Sequence, residues 1–129
     1  MPVWNASNVG HLLNRTLFGY SKGDLSLAQG YGTFSDLLDL AILKDNPAPA
    51  APNTWINTVP AASQTTSGET GTWYREFNYW WFNLMHKEGL NMREKMVLFL
   101  HNHFSNERDK VVYPQNKYAQ NALFRKYAF

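Results

Sequence analysis

The stretch "TWYREFNYWWFNLMHK" limits the fold more than any other part of the chain. Read at helical spacing, Trp73, Phe77, Trp80, Trp81 and Leu84 form one stripe, and Tyr74, Phe82 and Met85 widen it on a flank. An apolar surface this broad on one helix needs neighbours on two sides, so the helix is expected to be central in a packed bundle. Large rings must then fill much of the interior. The 129 residues carry 5 Trp, 7 Tyr and 8 Phe, a globular rather than a disordered composition. A chain of this length is expected to form one domain with one core, covering residues 1–129.

Other elements are read from the same periodicity. Val9, Leu12, Leu13, Thr16 and Leu17 recur at three-and-four spacing, which predicts a first helix from about Ser7 to Phe18 with Gly19 placed to end it. Ser21 and Asp24 have the spacing of a capping box for a second helix that reaches Gln29, before Gly30 and Gly32. Thr33 is placed to cap a third, with Phe34, Leu37, Leu38, Ala41 and Ile42 inward. Residues 45–71 read as one long loop rich in Pro, Ala, Ser and Thr, since Pro47, Pro49, Pro52 and Pro60 deny it helical continuity. Trp55, Ile56 and Val59 are the residues expected to pin it. A last helix begins near Pro114, a residue suited to a first turn, and runs through Ala119, Ala122 and Leu123. The expected fold class is all-α, an irregular bundle of about five or six helices with one long Pro-rich loop.

The segment "REKMVLFLHNHFSNER" poses the chemical question. On a strand, His101 and His103 would share a face and could hold one metal ion; on a helix they point apart. Val97–Leu100 alone fits either. The good helix formers of "REKM" adjoin the run without a turn residue, and Asn91 with Glu94 has capping-box-like spacing, so a helix from Met92 to Phe104 is favoured. At about 100° per residue the two imidazoles then stand about 200° apart, and a simple two-histidine metal site fails. His103 is expected to continue a stripe with Met96, Phe99 and Leu100, while His101 sits over Val97 and Leu98. The plain reading makes one or both core-edge histidines.

A catalytic or metal-binding alternative keeps His101 and His103 as candidates, with Glu107 and Asp109 close behind them and Arg15 reaching over from the first helix. The alternating signs of Glu107, Arg108, Asp109 and Lys110 more often describe a solvated turn. Arg15 more simply forms a structural ion pair with Glu94 or Asp109. His11 is expected to be exposed, and His86 to sit near the carbonyl end of its helix. A further reading takes Trp55, Trp73, Trp80 and Trp81 as a stacking platform for sugar or peptide. Three of these four lie on the buried stripe, which leaves Trp55 as the one free to stack. The sequence assigns no cofactor.

Other classes are narrowed by what the chain lacks. Cysteine is absent, which excludes disulfides, thiolate metal sites and a cysteine nucleophile but leaves the compartment open. No apolar stretch has the length of a membrane-spanning helix, and "MPVWNASNVG" is not a signal peptide. Before His86 there are 4 basic and 6 acidic residues, and from His86 onward 8 and 4, so net −2 is followed by net +4. Asymmetry of this size is ordinary on solvated helices and does not point to nucleic acid.

"HLLNRTLFGYSKGDL", then "REKMVLFLHNHF", "KV", "YPQN" and "QNALFRKYAF" together resemble the N-terminal part of the bacterial family catalogued as domain of unknown function 1800. The resemblance covers most of the chain outside the Pro-rich loop. It implies a largely helical protein, often exported or periplasmic, with no biochemical activity to carry over. Arg15, Phe18, Gly19, Arg93, Glu94, His101, Asn102, His103, Phe104 and Asn121 match positions that the family motif emphasises, while Leu100 stands where the family often has Trp and Tyr20 where Pro is common. Family members are longer, so the chain reads as a fragment with Met1 an artificial start. Its expected partner is the remaining C-terminal part of the same protein. Self-association along Tyr118, Ala122, Tyr127 and Phe129 is the other expectation. The leading functional reading is a scaffold or interaction part of a larger protein; the alternative is a hydrolase or metal-dependent enzyme.

Overall fold

The computed structural model describes residues 3–105 and 110–129. Every regular element among them is helical, in the order α1 (Ala6–Thr16), α2 (Lys22–Gln29), α3 (Phe34–Leu37) with a π turn (Leu38–Ile42), a 3-10 turn (Thr54–Asn57), α4 (Ala62–Thr66), α5 (Glu69–Lys87), α6 (Arg93–His103) and α7 (Pro114–Lys126). The fold is an all-α irregular bundle.

The first three helices begin at side-chain caps. Asn5 Oδ1 accepts from the Asn8 amide at 2.9 Å, and Thr33 Oγ1 from the Asp36 amide at 3.1 Å. Ser21 and Asp24 form the reciprocal box that their spacing predicts, at 3.1 and 2.7 Å. Helix α1 ends at Thr16, two residues short of the expected Phe18, because Leu17 is already extended at φ −104 and ψ 166. Gly19 is not what stops it. The Lys95 ammonium donates to the carbonyls of Arg15 and Leu17 at 3.1 and 2.7 Å and so satisfies this end from another helix.

Val9, Leu13, Leu17, Ala28, Leu37, Ala41, Ile42 and Leu90 make one buried cluster. The π turn belongs to it. Residues five apart, such as Leu37 and Ile42, stand about 140° apart round a regular α-helix. A turn closed by i→i+5 bonds, here Leu43 N–H to the Leu38 carbonyl at 2.8 Å, brings them close to one line, and both are fully buried.

Segment 45–71, read from sequence as one loop, contains the 3-10 turn and α4, and α5 begins inside it at Glu69 after Gly68 (φ 78). Its prolines keep the first part extended, but Asn53 caps the 3-10 turn, and the side chain of Gln64 accepts from the Ala61 amide at 3.2 Å at the start of α4. Of the three expected anchors, Trp55 is buried and Ile56 half-buried, whereas Val59 is exposed. Trp55 stacks on Trp73 with centroids 5.7 Å apart and donates from Nε1 to Glu76 at 2.7 Å. Trp80 donates to the Ala50 carbonyl at 2.7 Å. These bonds lay the segment along α5.

On α5 itself Tyr74 and Phe77 are buried, Trp73, Trp80, Trp81 and Leu84 half-buried, and Phe82 exposed. The inward face is thus narrower than the stripe and flank suggested. Helix α5 packs on α4, α6 and α7, and α6 and α7 pack on one another. No helix among the described residues is long and apolar enough to cross a membrane.

Candidate functional site

Helices α5, α6 and α7 enclose a polar centre. Its hub is Glu94, whose Oε1 accepts from Arg125 Nε at 2.6 Å and whose Oε2 accepts from Arg125 Nη2 at 2.7 Å and from Trp81 Nε1 at 2.9 Å. Both charged side chains are 6% exposed. A bidentate pair with a third donor is the arrangement in which a buried carboxylate and guanidinium offset their lost hydration. Trp80 adds its ring face 5.2 Å from the Arg125 guanidinium.

Two turns along α6, His101 is buried between Trp81 and Phe124, with ring centroids 4.5 and 4.9 Å away. Its Nε2 faces Asn121 Nδ2 at 3.2 Å, so the amide donates to an unprotonated ring nitrogen. Burial lowers the imidazole pKa to about 4, and the positive charges of Lys117 and Arg125 act in the same direction. The ring is neutral at pH 7. His103 lies outside, exposed, with its ring 6.1 Å from Phe99 and 4.8 Å from Phe104.

The two histidines therefore point apart, as a helix requires, but with the faces exchanged. The stripe predicted through Phe99 and His103 is outside, and Arg93, Glu94, Val97 and His101 are inside. Apolar periodicity places ionic residues outward, and here a guanidinium from α7 makes the opposite arrangement favourable. The expected Asn91–Glu94 box is also replaced. Asn91 Oδ1 accepts from Arg93 N at 2.9 Å, while the Glu94 amide donates to Glu88 Oε1 at 2.7 Å. The amide of Asn91 spans to the Ala41 and Lys44 carbonyls at 3.0 and 2.8 Å, tying α6 to the end of the π turn.

Arg15 is exposed on α1 and, among the described residues, makes no ion pair; the partner of Glu94 is Arg125. Glu107 and Asp109 lie outside the described residues. Among those described, no three His, Asp or Glu side chains stand together as metal ligands would. His11 and His86 are exposed. Trp55, singled out as the free ring of a stacking platform, is 4% exposed and already stacked.

Beside the polar centre a cleft of about 450 Å3 opens between residues 45–49 and α6–α7, and Arg93, Arg125, Tyr118 and Ala122 line it. A hollow of about 230 Å3 continues from it past Glu88 and Glu94. Burial raises the Glu88 pKa to about 7; the charge of Glu94 adds to the rise, while the Glu94 amide and the nearby Arg125 and Arg93 oppose it.

A family model described as "Protein of unknown function (DUF1800)" matches residues 11–129. The chain belongs to this family. Neither a curated protein nor a solved structure matches it. In this DUF1800 chain Glu94, His101 and Asn121, which match emphasised motif positions, meet at the polar centre, while Arg15, Asn102, His103 and Phe104 are exposed. Sequence reasoning passed over Arg125 and the polar role of Trp81. The signal for Arg125 was its place four residues after Asn121, which puts both on one face of α7.

Proposed function

We propose that this part of the DUF1800 protein is a non-enzymatic helical scaffold and interaction module. The observation that carries the reading is the engagement of Glu94: three donors from Arg125 and Trp81 hold its two oxygens inside the bundle. A general base or a metal ligand needs a lone pair aimed at substrate or ion, and Arg125 and Trp81 already draw on both oxygens of Glu94. His101 is enclosed by two rings and an amide, which fits an internal part of the core rather than a proton shuttle.

Interaction surface comes from large side chains that the fold leaves outside, among them Phe99, Phe104, Leu123, Tyr127 and Phe129. A second copy is one partner. The remaining part of a longer family member is the other, on the strength of the resemblance to longer proteins. Elemental analysis of purified protein and of its His103→Ala variant tests the non-enzymatic reading. The expected result is no stoichiometric metal in either; stoichiometric metal in the wild type that is lost in the variant would overturn it.

A further inference from the structure

The two arginines of the cleft are neutralised in different ways. Arg125 faces a carboxylate as buried as itself, and the pair is closed. Arg93 has a side chain only 7% exposed, yet its carboxylate partner is Asp45, whose side chain is 95% exposed. Its other partners are the Asn46 carbonyl and the ring of Phe129, 5.5 Å from the guanidinium, and its Nε is buried with no hydrogen-bond partner. A buried cation is thus balanced by a solvated carboxylate on the extended, proline-flanked stretch at the cleft mouth. Exposed carboxylates hold their partners weakly.

We propose that the cleft is a binding site for a small organic monocarboxylate, whose carboxylate takes the place of Asp45 on Arg93. The planar fork of a guanidinium matches a carboxylate in two bonds. The rest of the ligand lies in the 450 Å3 space against Pro47, Pro49, Tyr118 and Ala122, which suits an apolar or aromatic body. Lys126 adds a positive charge to the lining. Glu88 and Glu94 in the adjoining hollow set a limit, because a dianion would meet their charge or force Glu88 to stay protonated. One negative charge fits better than two.

Benzoate is a suitable probe, with benzamide as its uncharged isostere and inorganic phosphate as the more highly charged control. Titration calorimetry on the whole chain is expected to show saturable one-to-one binding of benzoate and none of the other two. Asp45→Ala removes the internal competitor and, being at an exposed position, leaves the fold intact; benzoate should bind it about two- to fivefold more tightly. Benzoate should also raise the Tm of that variant more than that of the wild type, since a ligand stabilises the state it binds. Arg93→Met should abolish binding, and circular dichroism separates lost binding from lost fold. The proposal is overturned by no saturable benzoate binding in wild type and Asp45→Ala alike, by equal affinity for benzamide, by binding of phosphate at least as tight, or by an Asp45→Ala affinity that is unchanged or weaker.

Discussion

Glu88 and His101 flank the Glu94–Arg125 pair, and burial pushes each toward its neutral form. The consequences for stability run in opposite directions. Glu88 holds its proton more tightly folded, with a pKa of about 7 against an ordinary 4.5, so stability falls as pH rises from about 4.5 to about 7. His101 holds its proton less tightly folded, about 4 against 6.5, so its contribution is complete above about 6.5 and is lost as pH falls toward about 4. Between about 4.5 and 6.5 the two slopes oppose, which predicts a broad stability plateau on the acid side of neutrality. Glu88→Gln keeps an acceptor for the Glu94 amide and removes the charge. It should therefore melt higher than the wild type at pH 8 and no higher at pH 4.5, as thermal scans at the two pH values would show. A wild-type Tm that rises steadily from pH 4.5 to 8, matched by the variant, would mean that Glu88 is solvated. None of this was legible from sequence. "EGLN" reads as a turn, and nothing in its letters says that a carboxylate there lines a hollow with an arginine from a helix more than thirty residues on.

Helix α6 shows where sequence stops being informative at the scale of an element. Its existence and ends follow from its helix formers and length, and the observed span Arg93–His103 lies inside the expected Met92–Phe104. Its orientation does not follow, because Glu94 turns inward only with Arg125 in place, and pairs distant in sequence leave no periodic trace. The Glu94–Arg125 pair yields a test of that argument. Glu94→Gln and Arg125→Met should each destabilise the fold by about 3–5 kcal/mol, since each leaves the other charge or its donors buried without a partner. The double variant should lose less than the two singles together, a coupling that denaturant melts of the four proteins would measure. Additive losses would mean that the two charges act independently. Asn91→Ala tests the link from α6 to the π turn. It takes the side-chain partner from the part-buried Lys44 carbonyl and the buried Arg93 amide and leaves the Ala41 carbonyl with the Lys44 amide alone, so a loss of about 1–3 kcal/mol is expected by the same melts.

Across the whole molecule the apolar cluster of α1–α3 and the aromatic and polar centre of α5–α7 are distinct bodies of contacts, joined by Asn91, the Met92 amide on the Ile42 carbonyl at 3.0 Å, and the Lys95 bonds to α1. Sequence made the first body legible, since its caps and stripes are local signals. It made the second legible only as an abundance of rings, because which faces of α5 are covered depends on where the Pro-rich segment runs. That uncertainty extends to the outer surface: Leu123 on α7 and Tyr127 at its C-cap, four residues apart, are 52% and 65% exposed, and Phe99 and Phe104 on and after α6 are exposed as well. Side chains of this size outside the core favour association when they form a patch, and the gain grows with the apolar area removed from water. The wild-type chain should therefore show an average mass that rises with concentration in sedimentation equilibrium. A Leu123→Glu, Tyr127→Glu double variant should stay closer to the monomer mass, with a Tm near that of the wild type, because neither side chain belongs to the buried cluster. A wild type that remains strictly monomeric at high concentration would remove self-association from the proposed role, whereas an associating wild type matched by the double variant would move the contact to another face.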